Sequence, residues 1–399
     1  MSGGGGGGGR WKQILAAGAV GCGIAYAIEH FQVAVPGALT IALLAVAGLA
    51  MIFGSCEAMI ECVEGVGERL SWNEFVAGTM AGLASNVPEV IMIGFVVKAE
   101  PRVAFVVTCL TLHVNAMVFG VYSGLLPTDD SGHAQLPEAI VKLGADLLAL
   151  AAGLFLAIGM LMLTMRVFAT GDHRGEGLGA LDLYVIGGGM LIVQVVSTRE
   201  MLKRFAAADE QKKASVPPES KANEEKEVTK KKTSTGKILV LGLVGIGGSF
   251  LGGHAVGDFA DGIVKALSTR GYPEMVGAII VSFFSGVASY AMIASAHVKG
   301  KTALALSNVS GAVTQMPFVV FPCTLIMMAG FAQTGLIPTL PSGGVLPIDM
   351  ETTSVLIMAF PTLLLLWKSI TDDGKINKLE TTVMCVLFGI IIYFLAKHG

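Results

Sequence analysis

The sequence predicts an all-α polytopic membrane protein of about eleven transmembrane helices: one leading helix, then two inverted five-helix repeats. Three observations carry this. Of 399 residues, 53% are hydrophobic and only 14% charged, against about 25% charged in soluble domains. Apolar runs long enough to cross a bilayer, about 20 residues, recur along the whole chain. A polar pattern inside two of those runs also repeats between the halves.

In chain order, 1–11 is Gly-rich and reads as disordered. It is followed by no clean cleavage site, so the next run is not a signal peptide. Residues 12–36 hold the extra leading helix. The first repeat, 37–202, contains apolar runs near 37–66, 74–97, 102–126, 138–166 and 179–200. Residues 203–236 form a charged, Pro-containing segment, read as a solvated cytosolic linker. The second repeat, 237–399, holds runs near 237–267, 274–298, 302–332, 345–368 and 379–396. These runs are too long for strands and show no alternation. The 52 glycines suit close helix packing in a membrane.

Basic residues are distributed unevenly. Residues 203–237 alone hold ten Lys and Arg. Placing that linker inside, with Arg10, Lys12 and Arg69, puts the N-terminus inside and the C-terminus outside. The net charge of −3 gives no footing for nucleic acid. The six cysteines lie in apolar stretches without CxxC spacing and read as packing residues. No phosphate loop, zinc pattern or nucleophile motif stands in a credible context, so neither a cofactor nor an enzyme is expected.

The internal repeat is specific. Residues 54–65 (GSCEAMIECVEG) match 251–262 (LGGHAVGDFADG) at an offset of 197, which pairs Glu57 with His254, Glu61 with Asp258 and Glu64 with Asp261. Beyond a short insertion the offset is 200, pairing Ser85 with Ser285 and Glu89 with Ser289. With five spans in each half, the repeat begins on opposite sides of the membrane. Carriers that work by alternating access are built this way.

The chemistry-bearing residues follow from cost. A carboxylate at membrane depth must be paired, protonated or hydrated. Ser85, Asn86 and Glu89 surround Pro88 in mid-span, where Pro removes a backbone donor and frees a carbonyl. Those are hard oxygen ligands, suited to Ca²⁺ or Na⁺. Ser285 and Ser289 stand at the matching break in the second half. Asn115 (with Thr108, Thr111 and His113) and Asn308 (with Ser310, Thr314 and Gln315) interrupt two further spans. His113 reads equally as a satisfied interhelical hydrogen bond. Glu57, Glu61 and Glu64 share one helical face, as do His254, Asp258 and Asp261. They read either as a proton or ion relay or as groups near the headgroups, and the sequence leaves both open.

At ASNVPEV, SFFSGVASY and LALSNVSGAVTQ the chain resembles the calcium/cation antiporter superfamily, which includes sodium/calcium and proton/calcium exchangers. FGSCEAMIECVEGVGERL is similar to the helix preceding that family's first motif. The second half departs from the motif, since Ser289 stands where an acid is expected. The resemblance implies a secondary active antiporter exchanging Ca²⁺ or a similar cation for Na⁺ or H⁺. It implies that Ser85, Asn86, Glu89, Ser285, Ser289 and Asn308 bind the cation, with Glu89 as the acidic metal ligand. The partners would be the bilayer and small cations. Two rivals remain: a proton-coupled carrier of another substrate, and a non-transporting membrane scaffold or sensor.

Overall fold

The computed structural model describes residues 10–398 apart from 71, 73, 127–133, 136–137, 169–175, 216–232, 299, 301 and 374. The fold is helical almost throughout. The first half comprises α1 (Arg10–His30), α2 (Gly37–Leu70), α3 (Glu74–Ala99), α4 (Pro101–Leu125), α5 (Glu138–Phe168) and α6 (Ala180–Ser215). The second comprises α7 (Thr235–Ser268), α8 (Glu274–Ser285), α9 (Val287–Val298), α10 (Thr302–Gln315), α11 (Phe321–Gln333), α12 (Met350–Asp373) and α13 (Lys378–His398). Among the described residues ten helices are long and apolar enough to cross a membrane. The expected eleventh, near 274–298, is split at Gly286 into α8 and α9. The chain is a multi-pass integral membrane protein.

Two departures from the sequence reading are local. Helix α1 begins at Arg10, inside the segment expected to be disordered, because Trp11 is buried against the fold. Helix α6 runs on to Ser215, well into the expected linker. Ala, Glu, Gln and Lys over 206–213 are strong helix formers and favour its continuation. The remainder of the linker, 216–232, and the Gly run at 1–9 lie outside the described residues.

The loop contacts follow the parity of eleven crossings. On one side, strand β1 (Ala134–Gln135) pairs antiparallel with β4 (Lys375–Ile376), and Arg69 Nε donates to the Thr233 carbonyl at 2.8 Å. On the other, β2 (Gly177–Leu178) pairs with β3 (Leu346–Pro347). Each strand pair joins the two halves. Helices α2 and α7, equivalent in the repeat, therefore begin on opposite sides.

Helices α2 and α7 pack closely because their facing residues are small. A Cβ on Gly248 would lie 2.4 Å from Ser55 Oγ, and one on Gly252 would lie 2.7 Å from Met51 Cβ. Such approach lets backbones pack without a hydrophobic driving force from water. Helix α4 is the centre of the bundle. Val103 to Ala116 are all buried, so its polar members must find partners inside the protein.

Candidate functional site

The site forms where α3, α4, the α8–α9 junction and the end of α10 meet. In α3, Pro88 lies inside the helix. One turn earlier, Ser85 Oγ donates to the Gly82 carbonyl at 2.7 Å. Asn86 is buried, and its Nδ2 reaches across to Gln315 Oε1 at 2.7 Å. Gln315 ends α10, where Met316–Val320 forms a π-helical turn before α11. Pro317 and Pro322 lack the amide hydrogens that an uninterrupted α-helix would use. Gly82 packs close to this pair, since a Cβ there would lie 3.1 Å from the Gln315 amide.

The break at Gly286 between α8 and α9 packs against α4. At the end of α8, Ser285 Oγ lies 2.6 Å from Thr111 Oγ1 of α4. Beyond Gly286, Tyr290 OH donates to Asn115 Oδ1 at 3.4 Å, and Asn115 Nδ2 donates to the Ala312 carbonyl at 3.4 Å. Glu89 lies close enough to act electrostatically on Cys56 of α2 and Tyr290 of α9. No hydrogen bond or ion pair is described between Glu89 and another side chain among the described residues. Ser85, Asn86, Glu89, Asn115 and Ser285 therefore converge, and the structure adds Thr111, Tyr290 and Gln315 to them. Thr111 and Gln315 were visible as polar interruptions. Nothing in its local sequence singles out Tyr290.

Two expected ligands are not tied in. Asn308 lies two helical turns before Gln315 on α10, and no hydrogen bond is described for it. Ser289 is partly exposed and likewise has no described bond to the site.

The leading helix holds one member of the first triad and two of the second. Trp11 Nε1 donates to Glu61 Oε1 at 2.8 Å. Tyr26 OH lies 2.6 Å from His254 Nδ1 and 3.2 Å from Asp258 Oδ2, and His254 Nδ1 lies 2.9 Å from Asp258 Oδ2. Asp261 pairs with Lys265 at 2.7 Å. Glu57 follows Cys56 on α2 and also acts on it. The described contacts of Glu61, His254, Asp258 and Asp261 do not run to Glu89. His113 is a satisfied core residue, with Nδ1 3.1 Å from Thr362 Oγ1 and Nε2 3.2 Å from the Val355 carbonyl.

Above the site, on the β2–β3 side, Arg102 binds three carboxylates of the second half. It lies 3.1 Å from Glu274, 2.8 Å from Asp349 and 2.8 Å from Glu351. An open cavity of about 400 Å³ beside it is lined by Glu100, Lys265 and Glu274. Burial, with Glu274 and Asp261 nearby, pushes the Glu100 carboxyl above its ordinary value, partly offset by Lys265.

Residues 237–397 match the family model for sodium/calcium exchanger protein. Among solved structures, the H⁺/Ca²⁺ exchanger CAX superposes with a TM-score of 0.63 at 11% identity, over 97% of this chain and 91% of that one. Native YfkE gives 0.60 at 15% identity, over 97% and 99%. The sodium-calcium exchanger NCX_Mj gives 0.50 at 15% identity, over 87% and 95%.

The chain has the fold of the calcium/cation antiporter superfamily.

No curated protein matches the chain. The family model covers the second half, and the solved structures extend the antiporter architecture over both. The expected resemblance is borne out at the level of fold.

Proposed function

We propose that this protein is a secondary active cation antiporter, exchanging Ca²⁺ or a similar cation for Na⁺ or H⁺ by alternating access. It acts as a carrier rather than an enzyme, and the transported ions are its ligands. One observation carries the reading: the Glu89 carboxylate stands beside Pro88 inside α3, between halves that meet through Asn86 and Gln315. A charge buried there is costly unless it serves an ion or a proton. Two cations that need the same oxygens cannot be bound together, so occupancy by one excludes the other, and that competition is the coupling. The small-residue seam between α2 and α7 is suited to sliding of this pair past the rest. The site is proposed to comprise Ser85, Asn86, Glu89, Asn115 and Ser285, with Ser289 and Asn308 contributing if α9 and α10 shift during the cycle.

The test is cation flux into proteoliposomes under separately imposed Na⁺ and pH gradients. Flux driven by either gradient supports exchange. Glu89→Gln preserves size and one acceptor oxygen while removing the charge, so it should fold and lose flux. Normal flux in a folded Glu89→Gln protein would remove this residue from the site.

A further inference from the structure

Gly286 and Tyr290 lie one helical turn apart, and the Tyr290 amide donates to the Gly286 carbonyl at 3.0 Å. The Tyr290 side chain folds back over that glycine. A Cβ on Gly286 would overlap it, and the atoms nearest to such a Cβ, beyond the chain neighbours, all belong to the Tyr290 ring and hydroxyl. The Gly286 backbone has φ −84° and ψ −7°, a region open to any residue. The missing side chain is therefore accounted for by the ring and not by the backbone.

That seat aims the phenol at the site. Tyr290 OH donates to Asn115 Oδ1, while Asn115 Nδ2 donates to the Ala312 carbonyl. The amide cannot turn away without losing the second bond, so its acceptor oxygen stays toward the phenol. Asn115 is buried, and a buried acceptor without a donor is costly. Glu89 lies within electrostatic reach of the same phenol. We propose that Tyr290 is a side-chain stopper of the cation site: seated on Gly286, its hydroxyl competes with the cation for the Asn115 oxygen and must be displaced for the cation to take it. The proposal rests on the antiport reading and on Asn115 as a site residue. Displacement needs rotation of the Tyr290 side chain and leaves the backbone bond between the two residues in place. The phenol thus lowers the apparent affinity for the cation and favours its release.

The experiment is self-exchange in proteoliposomes of the full chain, which needs no knowledge of the coupling ion. Uptake of ⁴⁵Ca²⁺ into Ca²⁺-loaded vesicles and of ²²Na⁺ into Na⁺-loaded ones is measured against ion concentration, giving a half-saturating concentration and a maximal rate. Tyr290→Phe keeps the ring and removes the hydroxyl. Its half-saturating concentration for the ion that the wild type exchanges should fall by about two- to tenfold, the worth of one hydrogen bond, with no gain in maximal rate. Tyr290→Leu is the second variant if the first does not fold. Gly286→Ala should drive the ring from its seat and lower the same concentration. In a Tyr290→Ala background, Gly286→Ala should add nothing further, which separates a seat for the ring from a hinge in the backbone. An unchanged half-saturating concentration in folded Tyr290→Phe would overturn the proposal, and a raised one would make the hydroxyl a ligand instead; both leave antiport standing. A Gly286→Ala effect that persists in full without the ring would overturn the seat. Exchange of neither ion by the wild type would overturn the antiport reading and this one with it.

Discussion

Asn86 Nδ2 donates to Gln315 Oε1 at 2.7 Å, a bond that spans 229 residues of sequence and joins α3 of the first half to α10 of the second. Removing one partner leaves the other buried and unsatisfied, at a cost of about 1–3 kcal/mol. Asn86→Ala and Gln315→Ala should each lower the melting temperature in detergent. The double variant should cost less than the sum of the two, because the partners fail together. Strict additivity would show that the bond does not couple the halves.

Arg102 is the one cation within reach of Glu274, Asp349 and Glu351 among the described contacts. Arg102→Ala leaves three carboxylates facing one another. The groups are partly exposed, so the expected loss is about 1–3 kcal/mol rather than the larger figure for a fully buried pair. Lys should rescue only in part, since its compact ammonium cannot fork to several acceptors as guanidinium does. Thermal unfolding at low and high salt checks this. The deficit of the Ala variant should shrink in high salt, where repulsion among the carboxylates is screened.

Glu100 supplies a pH dependence of known sign. Its folded pKa lies above its ordinary value, chiefly through burial and then through Glu274 and Asp261. The folded state therefore binds this proton more tightly than the unfolded one. The contribution favours folding as pH falls through the folded pKa and becomes a cost above it. Glu100→Gln should raise the melting temperature at pH 7.5, with the gain fading on acidification. A gain that grows in acid would contradict the assignment.

The linker prediction is narrowed by the reach of α6. Cleavage by protease should fall between 216 and 232, with the two halves remaining together in the membrane, since strand pairs and side-chain bonds hold them. Deleting most of 216–232 should leave basal transport in place, provided that the remaining tether still spans the ends of α6 and α7. A correctly inserted deletion that loses all transport would give the segment a structural or regulatory role.

The leading helix is bonded to both repeats, by Trp11 to Glu61 and by Tyr26 to His254 and Asp258. Tyr26→Phe keeps the ring that meets His254 edge-on with centroids 5.3 Å apart. It removes only the hydroxyl, so a loss of about 1 kcal/mol is expected. Trp11→Phe should behave alike. Unchanged unfolding in both variants would mean that α1 is held by packing alone.

The membrane spans and the polar cluster around Pro88 were legible in the sequence, because a bilayer imposes its length and polarity on every crossing segment. The offset of 200 also located Gly286 as a break. The ends were less legible. Trp11 and the extension of α6 to Ser215 depend on one tertiary contact and on helix propensity outside the membrane, which composition does not weigh against each other.

What the sequence by itself determined was therefore which residues lie at membrane depth and how few of them are charged. That Glu89 is the one Asp or Glu across 75–99, 101–126 and 275–333 is a fact of sequence. Only the tertiary structure decided which polar residues are neighbours. Gln315 meets Asn86, Tyr290 meets Asn115, and Glu61, His254 and Asp258 turn to α1. The physical reason is that hydropathy constrains depth along the membrane normal, whereas contacts between helices depend on crossing, rotation and side-chain reach. Those are set by packing across the whole bundle and leave no periodic mark on any single helix.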